Sequence, residues 1–183
     1  MIKRCSLFAL CAVLVMSLCA CGPKKANPDR YGYAVTQEDN GTYTISVAAN
    51  DGGELYVRRQ MSAEPQCLAL TKDILQIVGD GQSGTQWTVF CNVTDDTVST
   101  AFGNYVAANE TKVAYVDYLT DAYQLFVRDI FDEGAYWEAT TLTGLVVQKD
   151  GTLVKDVKVK NDQLIVTYQT ATEDITITMA MPK

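Results

Sequence analysis

Histidine does not occur among the 183 residues. That absence excludes a Ser-His-Asp or Cys-His catalytic group, a histidine-bearing zinc site and a histidine pH switch. The chain also lacks a C-x-x-C pair, so a thioredoxin-like redox motif is excluded. Neither a G-x-S-x-G nucleophile elbow nor a Gly-Lys-Ser/Thr phosphate loop is found; Asp80-Gly81-Gln82-Ser83-Gly84 reads as a flexible loop. No D-x-D-x-D-G spacing supports a calcium loop. Basic residues are few, 15 against 22 acidic, for a net charge of −7. Nucleic acid demands clustered Lys and Arg. Lys155, Lys158 and Lys160 form the one basic cluster, and their alternation with Val157 and Val159 suits the wet face of a strand. These features argue against nucleic acid as a partner, against a metal or cofactor, and against an enzyme.

The N-terminus carries an address. Lys3 and Arg4 precede an uncharged, largely apolar run from Ser6 to Ala20, which ends at Cys21-Gly22-Pro23. A short basic segment, a short apolar segment and small residues before a cut describe an export signal. The apolar run falls short of the roughly 20 residues a spanning helix needs. Leu18-Cys19-Ala20-Cys21 resembles the lipobox of bacterial lipoproteins, with Leu18, Ala20 and Cys21 at the matching positions and Cys19 as a departure. The resemblance implies that residues 1–20 are a signal peptide, removed after Cys21 is diacylglycerylated. The expected address is therefore the cell envelope, lipid-anchored to the extracytoplasmic face of the cell membrane, with palmitate as the kind of acyl chain the resemblance implies. Two or more acyl chains anchor stably. Residues 21–29 then read as the lipidated Cys and a polar linker, and residues 30–183 as one extracytoplasmic domain.

Cleavage before Cys21 leaves 13 basic against 22 acidic residues. It also leaves Cys67 and Cys91 as the cysteines of the domain, either a disulfide or two buried thiols. The domain reads as all-β. Apolar residues alternate through Tyr43-Ile45-Val47, Trp87-Val89-Cys91-Val93, Leu164-Val166-Tyr168 and Ile175-Ile177-Met179-Met181. Turn signals such as Asn40-Gly41, Asp80-Gly81, Asp150-Gly151 and Asn161-Asp162 separate the runs. Many short strands so punctuated predict an antiparallel sandwich or open barrel in a single domain. A propeller needs at least four blades of about 40 residues, and this chain falls at that limit. Residues 67–78 suit either a short amphipathic helix or two strands around Thr71-Lys72-Asp73; the strands are preferred. Glu54-Leu55-Tyr56-Val57-Arg58 and Gln124-Leu125-Phe126-Val127-Arg128 match in type at every position. They suggest a duplicated hairpin or two convergent edge strands. Residues 113–131 are similar to stretches of small β-rich lipoproteins of Gram-positive bacteria, a resemblance that implies no activity.

Two chemistries remain open. Glu38-Asp39, Asp95-Asp96, Asp132-Glu133 and Glu173-Asp174 supply carboxylates of the kind a glycan hydrolase sets across a cleft. Yet neighbours on a strand point to opposite faces, and these pairs read as turn residues. Aromatics are the other handle. Tyr118, Tyr123, Tyr136 and Trp137 fall close together, and exposed rings make flat platforms for glycan or protein partners. Tyr136 and Trp137 cannot face one core from a regular strand, so one of them is expected at the surface. A non-enzymatic binding or envelope-interaction module is the favoured reading, and a carboxylate-dependent glycan hydrolase is the alternative.

Overall fold

The computed structural model describes residues 24–80 and 86–183. The expected signal peptide of residues 1–20, Cys21, and the loop 81–85 lie outside the described residues. The strand order runs β1 (Lys24–Lys25), the short helix α1 (Pro28–Tyr31), β2 (Tyr33–Gln37), β3 (Tyr43–Ala48) and β4 (Glu54–Met61). It continues through β5 (Gln66–Ala69), β6 (Ile74–Asp80), β7 (Gln86–Asn92), β8 (Thr97–Val98) and β9 (Phe102–Gly103). Then come β10 (Tyr105–Ala108), β11 (Lys112–Leu119), β12 (Ala122–Asp129), β13 (Trp137–Thr141), β14 (Asp156–Lys160), β15 (Gln163–Gln169) and β16 (Asp174–Ala180). The fold is all-β, and every paired strand is antiparallel.

Four meanders follow one another along the chain. They are β2-β3-β4, then β5-β6-β7-β8 with β1 and β9 added, then β10-β11-β12-β13, then β14-β15-β16. No sheet closes on itself among the described residues; the sheets pack face to face. The first core lies between the first two sheets, where Ile45 and Val47 meet Leu75, Ile77, Trp87 and Val89. The second and third sheets enclose Ile74, Phe90, Phe102, Val113 and Ile130. The third and fourth enclose Ala114, Val116, Leu125, Val127, Leu164, Val166 and Tyr168.

Alternation explains the stacking. In β7, Trp87, Val89 and Cys91 face one core while Phe90 faces the next, so this strand is apolar on both sides. In β11, Val113 faces one way and Ala114 and Val116 the other. The end sheets have one apolar face each. The outer face of the last sheet carries Lys158, Lys160, Thr176 and Thr178, all exposed. Polar outer faces end a stack of this kind because they need no further sheet to cover them.

Three sequence expectations meet their structure here. Residues 67–78 form two strands with Thr71 in the turn, where its hydroxyl accepts the N–H groups of Asp73 and Ile74. The linker expected to run to residue 29 is largely part of the fold. Lys24 and Lys25 pair with Ala69 and Leu68, and Ala26 is buried. Asn27 caps α1 by accepting the Asp29 N–H at 2.9 Å, Pro28 takes its first turn, and Gly32 closes it at φ +58°. Asn-Pro before a short turn is a helix-start signal, and a polar-linker reading overlooks it.

The two matched pentapeptides are not equivalent positions of a duplicate. Arg58 stacks on Trp87 at 4.0 Å, facing the sheet that follows it. Arg128 stacks on Phe102 at 4.8 Å, facing the sheet that precedes it.

Candidate functional site

Cys67 and Cys91 are free and buried, and the disulfide left open by the sequence does not form. The reason is the sheet. Cys67 on β5 pairs with Ile77 and Cys91 on β7 pairs with Leu75, so β6 stands between them. Two strand spacings and a two-residue offset separate their Cα atoms by roughly 11–12 Å, against the roughly 4.4–6.8 Å a disulfide needs. Burial pushes the Cys67 thiol up to about 11 and the Cys91 thiol up to about 12. Thiols so shifted stay protonated and are poor nucleophiles and poor metal ligands. Cys67 also lines a groove of about 680 Å³ beside Lys25, Tyr33, Val35 and Pro65.

Five of the eight paired carboxylates are engaged in the fold. Asp96 accepts the Asn50 N–H at 3.0 Å, Asp95 accepts from the Asn92 amide at 2.8 Å, and Asp132 accepts the Gly134 N–H at 3.0 Å. Glu133 pairs with Arg128 at 3.2 Å, and Asp174 with Lys155 at 2.7 Å. A cleft of about 370 Å³ brings two carboxyl-bearing residues to its lining, Asp80 and Asp150, as two shallower pockets do with Asp29 and Glu54 and with Asp73 and Glu110. Asp150 accepts from the Thr152 N–H at 3.0 Å and the Thr152 hydroxyl at 2.7 Å. These bonds hold it below the usual carboxylate range. A proton-donating carboxyl needs the opposite shift. Among the described residues no group of three or more Cys, Asp and Glu could hold a metal ion.

The four aromatics do not form one patch. Tyr118 and Tyr123 are cross-strand partners at the tip of the β11–β12 hairpin, their rings edge to face at 5.0 Å. Tyr118 is 55% exposed, and Leu119 beside it is 44% exposed. Six residues along β12 from Tyr123, Asp129 bonds the Tyr136 carbonyl. At about 3.3 Å per residue, Tyr136 and Trp137 therefore sit roughly 20 Å from the tyrosine pair.

Tyr136 lies on the face toward the fourth sheet, part-buried against its core. Its hydroxyl donates to Glu138 at 2.9 Å, and Lys112 approaches its ring at 5.3 Å. Burial, then Glu138, raise its phenol. Lys112 is itself buried and pairs with Asp129 at 2.7 Å. These contacts give Tyr136 a structural role.

Trp137 lies on the other face, as alternation requires, and is 62% exposed. It is the outer end of a ladder of rings. Trp137 meets Phe126 at 5.8 Å, Phe126 stacks on Tyr115 at 5.2 Å, Tyr115 meets Phe102 at 5.3 Å, and Phe102 meets Phe90 at 5.9 Å. The indole is thus held from below while its outer surface stays wet. Spacing in the sequence showed that one ring of the Tyr136-Trp137 pair would be exposed; which one was decided by the direction β13 faces.

No protein-family model matches the chain, and no curated protein matches it. The site is therefore read from its own geometry. It offers two separate exposed aromatic surfaces: Tyr118 at the hairpin tip, backed by Tyr123, which is itself part-buried against the core of the third and fourth sheets, and Trp137.

Proposed function

We propose that the protein is a membrane-anchored, non-enzymatic binding module of the cell envelope, tethered through a lipid on Cys21. The observation that supports this most is the Tyr118–Tyr123 tip. Two rings at 5.0 Å, with exposed Leu119 beside them, stand at the end of a hairpin. Rings set edge to face, at 66° to one another, present one flat face and one edge, which suits stacking on the apolar face of a sugar or on a partner side chain. Engagement of most of the paired carboxylates in the fold, and thiols that hold their protons, favour binding over catalysis.

A Tyr118→Ala/Tyr123→Ala protein tests this. Binding to purified, protein-free cell-wall glycan and to extracted envelope proteins should fall at least about tenfold, the scale of losing one aromatic hot spot. Far-UV circular dichroism should stay unchanged. Equal binding by both proteins would remove the tip from the argument. Glycan turnover lost on Asp80→Asn or Asp150→Asn in a folded protein would replace the binding reading with the hydrolase.

A further inference from the structure

The backbone of β13 points to an interface that the tyrosine tip does not use. This strand ends the third sheet. Its ladder with β12 continues at both ends in bonds that set the phase: the Leu142 N–H donates to the Tyr123 carbonyl, and the Asp129 N–H to the Tyr136 carbonyl. Hydrogen-bonded pairs in an antiparallel ladder alternate. Glu138 and Thr140 therefore spend their backbone groups on β12, opposite Val127 and Leu125. Trp137, Ala139 and Thr141 turn theirs outward. Among the described residues, no backbone hydrogen bond uses these outward groups.

Free edges are templates for another strand, and proteins usually blunt them with Lys, Pro or bulges. The segment Trp137-Glu138-Ala139-Thr140-Thr141 has neither Lys nor Pro, and its register with β12 is unbroken. The edge at β14 carries Lys158 and Lys160, and β4 carries arginines and bulges. The last strand, β16, is also an open edge, but its exposed positions are Asp174, Thr176, Thr178 and Ala180, with no large apolar side chain.

We infer that β13 pairs with β13 of a second copy of this chain, antiparallel about a twofold axis through Ala139, so that two third sheets become one continuous sheet. The outward phase and the residue types both fit this occupant. Placing the axis at Ala139 sets the outward residues opposite one another: Trp137 faces the other copy's residue 141, a threonine, and Ala139 faces its own counterpart. The smallest side chain of the strand thus sits where the copies meet. Glu138 falls opposite a threonine and not another glutamate, so no like charges are set directly across the seam. Each Trp137 ring gains a cross-strand neighbour for its exposed face. An isologous contact closes at two copies, and anchoring to one membrane plane would raise their local concentration. The site is distinct from the Tyr118–Tyr123 tip, so failure of either idea leaves the other standing.

Register gives a specific test on the full, mature chain in detergent or vesicles. Residues 138 and 140 of opposite copies form a non-hydrogen-bonded pair, with Cα atoms about 4.5 Å apart, within disulfide range. A mixture of Glu138→Cys and Thr140→Cys chains should yield an oxidised heterodimer several-fold in excess of either homodimer. Sedimentation of the wild type up to about 1 mM, the weak end of specific association, should show a dimer. Trp137 emission should shift to the blue as it forms, since Trp87 is already buried. Ala139→Pro removes an outward N–H that β12 does not use, and it should abolish the dimer while the β circular dichroism persists. Should that variant unfold, Ala139→Lys places two ammonium groups on the axis and should have the same effect. A wild type that stays monomeric throughout, or crosslinking indifferent to the 138/140 combination, would overturn the inference.

Discussion

Residues buried here keep their protons. Burial raises the thiols of Cys67 and Cys91 and the phenols of Tyr105 and Tyr115 above their ordinary values. The consequence for stability has a definite sign. Below about pH 8.5, the ordinary thiol value, both folded and unfolded thiols hold their protons and stability is unaffected. As pH rises from there toward 12, the unfolded chain releases thiol protons that the folded chain retains, so the unfolded state gains and stability falls. Cys91, fully buried against Leu75 and raised to about 12, should be a main contributor. Urea unfolding of Cys91→Val against the parent, at about pH 8 and about pH 10, should show a smaller alkaline loss in the variant. An identical loss in both would assign the slope to Cys67 and the tyrosines instead. A second residue shows how close the packing is. A Cβ on Gly79 would meet the Trp87 ring at 2.2 Å, so glycine in mid-strand makes room for the indole that Arg58 covers from the other side.

At the scale of elements, two hairpins turn through consecutive left-handed residues. Asn161 and Asp162, at φ +52° and +58°, join β14 to β15. Thr120 and Asp121, at φ +49° and +63°, join β11 to β12. Such turns match the right-handed twist of their strands and favour Asn, Asp and Gly. Asn161 suits its place. Thr120 does not, because a β-branched side chain in the left-handed region costs about 1–2 kcal/mol. Thr120→Asn should therefore stabilise the protein by about 1 kcal/mol in denaturant unfolding, and Asn161→Thr should destabilise it by a similar amount. The strained turn carries the tyrosine tip. Relief of strain with unchanged ligand binding would show that the tip's geometry does not depend on Thr120.

The whole molecule is a row of four sheets with polar faces at its ends, and β1 starts close to the expected lipid. Two residues, Gly22 and Pro23, separate Cys21 from Lys24, three Cα–Cα steps or at most about 11 Å. A lipid on Cys21 would thus hold the body against the bilayer with little slack. Cys21→Ala should release the protein from membranes into the aqueous fraction, and intact mass of the parent's N-terminal peptide should show the acyl chains. An unmodified Cys21, or an alanine variant still firmly bound, would end the lipoprotein reading.

Much of this was written locally. Period-two alternation and turn residues determined the strands and their antiparallel pairing, because both depend on neighbours a few residues apart. The absence of histidine and of cofactor motifs narrowed the chemistry before any fold was known. Only the tertiary structure decided the rest. That Cys67 and Cys91 are kept apart follows from β6 lying between them, and that Trp137 rather than Tyr136 meets solvent follows from which face of β13 the next sheet covers. The tyrosine pair and the tryptophan lie close in sequence, yet an antiparallel strand carries its two ends as far apart as it is long.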